Sequence, residues 1–307
     1  MRIAVVGAGG VGGGYGAALA TAGADVTFIA RGRHLAAMNS EGLRVESPRG
    51  DTHLQPTRAT DDPASVGPVD IVLFCVKLWD VETAGAAIRP LIGSGTAVIP
   101  LQNGIDAAER LVAILGEAAV MGGVANISAT IAAPGVIRQT GTAMRMVFGE
   151  LDGKTTPRAR AFAALCAQAG IDGVLSTAIR TDLWMKFILL ASNAGIMALA
   201  RLPVGKLRDD PDIAPWFAAA YEEVAAVGRA AGVALPPDAV ARTLDFTRNA
   251  PPDLMASMAV DLLRGNRIEL PWLSGKVVTL GRVHDVPTPV HAFIHSMLKP
   301  YTMGRPD

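Results

Sequence analysis

The chain has 307 residues, enough for two domains rather than a single core. Half of the residues are hydrophobic and only 18% are charged, which excludes a disordered chain. Lys plus Arg and Asp plus Glu balance at 28 each, so no overall charge points to nucleic acid or to an anionic membrane.

The first half alternates short β-type runs with helical ones. Strands are predicted at 3–6, 25–29, 70–76, 96–100 and 118–122. Helices are predicted at 11–22, 81–88 and 105–115. This alternation implies a parallel sheet with right-handed crossovers. The run at 3–6 is broken at once by glycines, whereas the apolar core of a secretion signal is one continuous helix. From 124 to 149 the pattern changes. Two β-type stretches flank the turn dipeptide Pro134-Gly135 and 144–148 reads as a third, an antiparallel extension of the sheet. A helix at 158–169 and a strand at 174–176 close the region.

Beyond 177 helical patterns dominate, at 182–200, 213–231, 238–249 and 290–298, with proline breaks between them. The division is therefore 1–176 and 177–307. The stretch at 183–200 is apolar enough to suggest a membrane span, but it carries Lys186, Ser192 and Asn193 and reads as a buried core helix. Cys75 and Cys166 lie in separate apolar runs and are expected as reduced thiols of a cytoplasmic protein. The five histidines show no metal-ligand spacing; His291 and His295 are four apart, without an HExxH around them, and no metal is expected.

Gly7-Ala8-Gly9-Gly10-Val11-Gly12 matches GxGxxG, with a strand running in and a helix running out. That is the setting of a dinucleotide site, in which Gly7 makes the tight turn, Gly9 lets backbone approach a pyrophosphate and Gly12 lets the helix pack on the strand. With 33 glycines in the chain, the motif alone is a weak signal and its context carries it. The fold class is thus a Rossmann-type doubly wound parallel sheet, with the antiparallel extension, followed by an all-helical domain. The second strand ends in Ile29-Ala30-Arg31-Gly32-Arg33-His34. An NAD site places a carboxylate there for the ribose 2′-hydroxyl. Arg31 instead suits a 2′-phosphate, which favours NADP(H).

Five further residues are candidates for chemistry. Lys77 and Asn103 each follow a strand at its carboxyl end, where open α/β sheets face their ligands; a solvated lysine and a plain Asn-Gly turn are the alternatives. Lys186 sits in Trp184-Met185-Lys186-Phe187-Ile188. A lysine on an apolar helix ordinarily snorkels to water. Facing a crevice, it suits donation of a proton to a carbonyl oxygen after hydride transfer, because burial lowers its pKa. Asn193, seven residues on, lies on the same helix face. Glu269, between apolar neighbours, is placed to accept a substrate hydroxyl or to pair with Lys186.

Together these pieces resemble the ketopantoate reductase (2-dehydropantoate 2-reductase) family over nearly the whole chain. The matching segments are the N-terminal glycine motif, Ala30-Arg31-Gly32, Cys75-Val76-Lys77, Gln102-Asn103-Gly104, Trp184-Met185-Lys186, Ser257-Met258 with Asp261, Arg267-Ile268-Glu269 and Pro287-Thr288-Pro289-Val290. The resemblance implies NADPH-dependent reduction of 2-dehydropantoate to pantoate, a step of pantothenate synthesis. It implies that Lys186 is the general acid, that Glu269 helps to bind substrate and that Ser257 contacts its carboxylate. It places Asn103 by the nicotinamide and Arg31 and Lys77 on the adenosine-phosphate side, and it is compatible with a homodimer. The chain departs from the family's best-known members, which carry Asn four and eight residues after the lysine and three before the serine. Leu190, Ala194 and Leu254 stand there, with Asn193 displaced by one. Loss of amide donors weakens recognition of a hydroxyl-bearing substrate, so the same chemistry on a more apolar 2-keto acid is the alternative. A non-catalytic NADP(H)-binding protein is a third reading, disfavoured because a mere binder needs neither Lys186 nor Glu269.

Overall fold

The computed structural model describes residues 1–306. The chain forms two compact units. The first comprises Met1–Gln102 and Asp106–Ile179, and the second Asn103–Ile105 and the chain from Arg180 onward.

The first unit opens with β1 (Arg2–Val6), α1 (Gly10–Thr21), β2 (Asp25–Ile29) and α2 (Gly32–Glu41). It continues with β3 (Leu43–Glu46), β4 (Thr52–Leu54), β5 (Ala59–Thr60), β6 (Ile71–Phe74), α3 (Val81–Ala87), β7 (Ala97–Pro100) and α4 (Ala107–Leu115). The hairpin β8 (Met121–Ala133) and β9 (Val136–Glu150), then α5 (Pro157–Gln168) and β10 (Asp172–Leu175), complete it. One sheet runs β5-β2-β1-β6-β7, parallel throughout. Its middle strands are unbroken apolar runs because both faces are covered: Ile3, Val5, Ala4, Val72 and Leu73 are all fully buried.

The antiparallel extension is a second, mixed sheet of order β10-β9-β3-β4, with β8 on β9. Two sequence expectations are corrected here. The run at 118–122 contributes only a single bridge, Val98 to Val120, beside the parallel sheet, because the chain leaves at Met121 to begin the hairpin. The stretch at 144–148 is the far end of the single long strand β9, and β8 keeps pace with it through register shifts near Ile127 and Ile131. Helix α2 and strands β3 to β5 were not anticipated. The apolar residues of α2, Leu35 to Met38, are consecutive rather than helically spaced, and the strands have four residues or fewer.

The second unit is helical: α6 (Ile179–Ala200), α7 (Gly205–Arg208), α8 (Ala214–Ala230), α9 (Ala239–Asn249), α10 (Ser257–Leu263), α11 (Ser274–Val283) and α12 (Pro289–Leu298). Helix α6 is long and apolar enough to cross a membrane by length and composition. Its apolar residues are instead part of this unit's core, where Phe187, Ile188, Ala191 and Met197 pack with Phe217 and Val224 of α8 and Ile294 of α12. The crossing with α12 is close, since a Cβ on Gly195 would lie 2.7 Å from the Ile294 side chain.

Candidate active site

The glycine motif occupies the turn between β1 and α1, and its four glycines stand in different surroundings. Gly7 has φ +91°, and a Cβ there would meet the Cys75 backbone at 2.9 Å. A Cβ on Gly12 would lie 2.3 Å from the Gly7 carbonyl oxygen, so α1 sits against its own strand. On Gly10 it would lie 1.9 Å from the Ala129 carbonyl oxygen, because β8 passes directly over the first turn of the helix. On Gly9 it would meet nothing within 4 Å. The helix starts with no side-chain cap and no acidic residue in its first turn. No side-chain cap therefore satisfies the first N–H groups of the helix, and a helix N-terminus of this kind suits a phosphate.

The neighbouring strands deliver the other first-unit candidates to the same carboxyl edge of the parallel sheet. Arg31 follows β2, takes an extended conformation at the N-cap of α2 and is exposed. Lys77 follows β6, is exposed, and sets its ammonium 5.6 Å from the centre of the Trp79 ring. Gln102 follows β7. It is buried, and its amide donates to the carbonyls of Phe74 (2.9 Å) and Val76 (3.1 Å), tying the ends of β6 and β7 together.

In the second unit three candidates from distant sequence positions meet. The Lys186 ammonium on α6 donates to Asn103 Oδ1 at 3.2 Å, and Asn103 Nδ2 donates to Glu269 Oε2 at 3.5 Å. Asn103 thus presents its carbonyl to the cation and its amino group to the anion. Glu269 is buried and caps the short turn Leu270–Trp272, where its own carbonyl accepts from Trp272 and Leu273. Lys186 is partly buried, next to fully buried Ile188. Burial pushes its pKa down to about 8, and the negative charge of Glu269 acts in the opposite sense. An ammonium of this strength gives up a proton far more readily than an ordinary lysine.

The remaining candidates are not part of this trio. Ser257 is exposed at the first turn of α10, and among the described residues no hydrogen bond joins it to Lys186, Asn103 or Glu269. Asn193 is engaged elsewhere. It shares the heptad spacing of Lys186, yet its Oδ1 accepts from the Tyr221 hydroxyl and its Nδ2 donates to Thr247 Oγ1 at 3.4 Å. Tyr221 and Thr247 also bond each other at 2.8 Å. Asn193 therefore closes an internal polar triangle, because helical spacing fixes a face and not the partner on it. His291 is likewise fully buried; its ring contacts Ser274 and the Ala220 carbonyl, and burial brings its pKa to about 4. His34, at the end of the Arg31 segment, carries two hydrogen bonds that no sequence signal marked.

Family models for both halves of the chain match: "Ketopantoate reductase PanE/ApbA" over residues 3–153 and its C-terminal counterpart over 178–302. A 2-dehydropantoate 2-reductase of Mesorhizobium japonicum is 30% identical, with 94% of each chain covered. The chain belongs to the ketopantoate reductase family. A solved PanE/ApbA family ketopantoate reductase of Ralstonia eutropha superposes with a TM-score of 0.90 at 34% identity, over 98% of each chain. A D-mandelate dehydrogenase, solved with NADH and anilino(oxo)acetate, shares the fold at a TM-score of 0.90 and 20% identity, over 98% of each chain. Membership makes this chain an oxidoreductase with a parallel-sheet N-terminal domain and a helical C-terminal domain, as the sequence resemblance implied. Against that ketopantoate reductase framework, Leu190 is partly buried, Ala194 is fully buried and Leu254 is 37% exposed.

Proposed function

We propose that this ketopantoate reductase family member reduces 2-dehydropantoate to pantoate with NADPH, and that Lys186 is the proton donor. The observation that carries the reading is the Lys186–Asn103–Glu269 chain, with an ammonium brought to about 8 by burial. The open face at Gly9 and the N-terminus of α1 would take the pyrophosphate, against a turn shaped by Gly7, Gly10 and Gly12. Arg31 would bind the 2′-phosphate, Lys77 would hold the same adenosine-phosphate side and Asn103 would lie by the nicotinamide. When bound, the dinucleotide supplies the hydride that the keto carbon receives. Lys186 Nζ gives its proton to the keto oxygen as negative charge develops there, so the carbonyl becomes a hydroxyl and the lysine a neutral amine. Glu269 is placed to accept a hydrogen bond from a substrate hydroxyl, and Ser257 would contact the carboxylate.

A second reading, reduction of a more apolar 2-keto acid by the same residues, is favoured by Leu190 and Ala194 along α6 and by the internal engagement of Asn193. The two are separated by following NADPH oxidation with 2-dehydropantoate beside unbranched, branched and aromatic 2-keto acids. Preference for 2-dehydropantoate supports the first, and preference for an apolar acid supports the second. Turnover of none of them overturns both.

A further inference from the structure

His34 lies in the first turn of α2, three residues after Arg31, and is partly buried. Its ring bridges two pieces of backbone. Nε2 lies 2.8 Å from the carbonyl oxygen of Ala8, inside the glycine motif. Nδ1 lies 3.0 Å from the backbone nitrogen of Gly135, at the tip of the β8–β9 hairpin. A backbone N–H can only donate, so Nδ1 is the acceptor and the ring proton sits on Nε2, donating to Ala8. Burial lowers the pKa of His34, which keeps the ring in this neutral form.

The hairpin tip is itself well fixed. The Gly135 carbonyl accepts from the Arg44 N–H at 2.9 Å, and a Cβ on Gly135 would be 3.1 Å from that of Ala37. Farther along, the same hairpin touches the start of α1 through the Ala129 carbonyl. His34 is thus anchored on one side by the hairpin and holds the glycine turn on the other.

In a trans peptide the carbonyl of one residue and the N–H of the next point in opposite directions. Fixing the Ala8 carbonyl toward His34 therefore directs the Gly9 N–H away from it. Gly9 is the glycine whose Cβ position is open. We infer that His34 is a positioning residue for the dinucleotide: as the neutral Nε2–H tautomer it clamps the Ala8–Gly9 peptide so that the Gly9 N–H is presented to the pyrophosphate. The inference rests on the NADPH reading above and adds a residue that does not touch the cofactor but sets its affinity.

The test compares wild type, His34→Ala and His34→Gln by NADPH titration calorimetry and by kcat at saturating NADPH. His34→Ala should raise the Kd for NADPH roughly tenfold, the effect of one lost hydrogen bond, and leave kcat within about twofold. Glutamine carries both a donor and an acceptor and should restore the Kd to within about threefold of wild type. Nitrogen NMR of the ligand-free wild-type chain should find His34 neutral with its proton on Nε2. An unchanged Kd in His34→Ala, a glutamine variant as weak as alanine, or an Nδ1–H or cationic ring each overturns the inference. A wild-type chain that does not bind NADPH overturns the cofactor reading and this inference with it; tight wild-type binding that His34→Ala leaves intact overturns this inference alone.

Discussion

Replacing Glu269 by Gln keeps the shape of the site and removes its negative charge, so it reads directly how far that charge sets the strength of the Lys186 acid. Two hydrogen bonds of 3.2 and 3.5 Å with one amide between them connect the two groups. A separation of roughly 5–8 Å at an effective dielectric constant near 20 corresponds to about 2–3 kcal/mol of attraction. Partial solvent access to Lys186 reduces this to on the order of 1 kcal/mol, or just under one pH unit. The sign is fixed by the chemistry. Glu269 favours the charged ammonium, so its removal lowers the Lys186 pKa further, from about 8 toward 7. With Lys186 as the proposed acid, keto acid reduction needs the protonated lysine and is lost as pH rises through that pKa, and oxidation of the hydroxy acid needs the free amine and grows through it. The kcat/KM profile for reduction should therefore bend downward near pH 8 in wild type and about one unit lower in Glu269→Gln, with the oxidation profile displaced the same way. A bend that stays in place or moves to higher pH would refute the coupling, and a profile flat from pH 6 to 10 would remove Lys186 as the acid.

Three other outcomes follow from the same geometry. Lys186→Ala should lower kcat by about 10²–10⁴-fold while NADPH binding, measured by titration, stays near wild type; full turnover would exclude the acid role. Arg31→Ala should weaken NADPH far more than NADH, and equal losses would exclude a 2′-phosphate contact. Tyr221→Phe removes the hydroxyl that joins Asn193 and Thr247, so it should cost about 1–2 kcal/mol in denaturant unfolding and leave the KM for the keto acid unchanged. A raised KM without loss of stability would return Asn193 to the substrate site.

Much of this was legible in the chain because parallel strands bury both faces. Continuous runs such as Ile71–Phe74 announce themselves, and the residues just beyond their carboxyl ends, Arg31, Lys77 and Asn103, are candidates by position alone. Lys186 stood out because a cation interrupts an apolar helix. What stayed hidden depended on partners far along the chain. Asn193 has the spacing of a site residue, but only Tyr221 and Thr247, in α8 and α9, determine where its amide points. Asn103–Ile105 group with the helical unit although they follow a strand of the parallel sheet, and no local pattern marks that change. The larger apolar side chains of α2, Leu35 and Met38, sit in one consecutive apolar run with Ala36 and Ala37, so no helical periodicity could reveal it, and His34 with it.

The four glycines at the start of α1 look like one motif, but two different constraints act on them. Gly7, Gly10 and Gly12 are held by crowding against Cys75, Ala129 and the turn itself, so any added carbon is felt by the folded chain whether or not a ligand is present. Gly9 borders empty space, and only an incoming ligand would notice a methyl group there. In a library of variants sorted for folding alone, position 9 should drift while the other three stay glycine; sorted for turnover, all four should be retained. The spacing that identifies a nucleotide site thus combines a record of packing with a record of binding, and a chain that had lost its cofactor would show it first at a single letter.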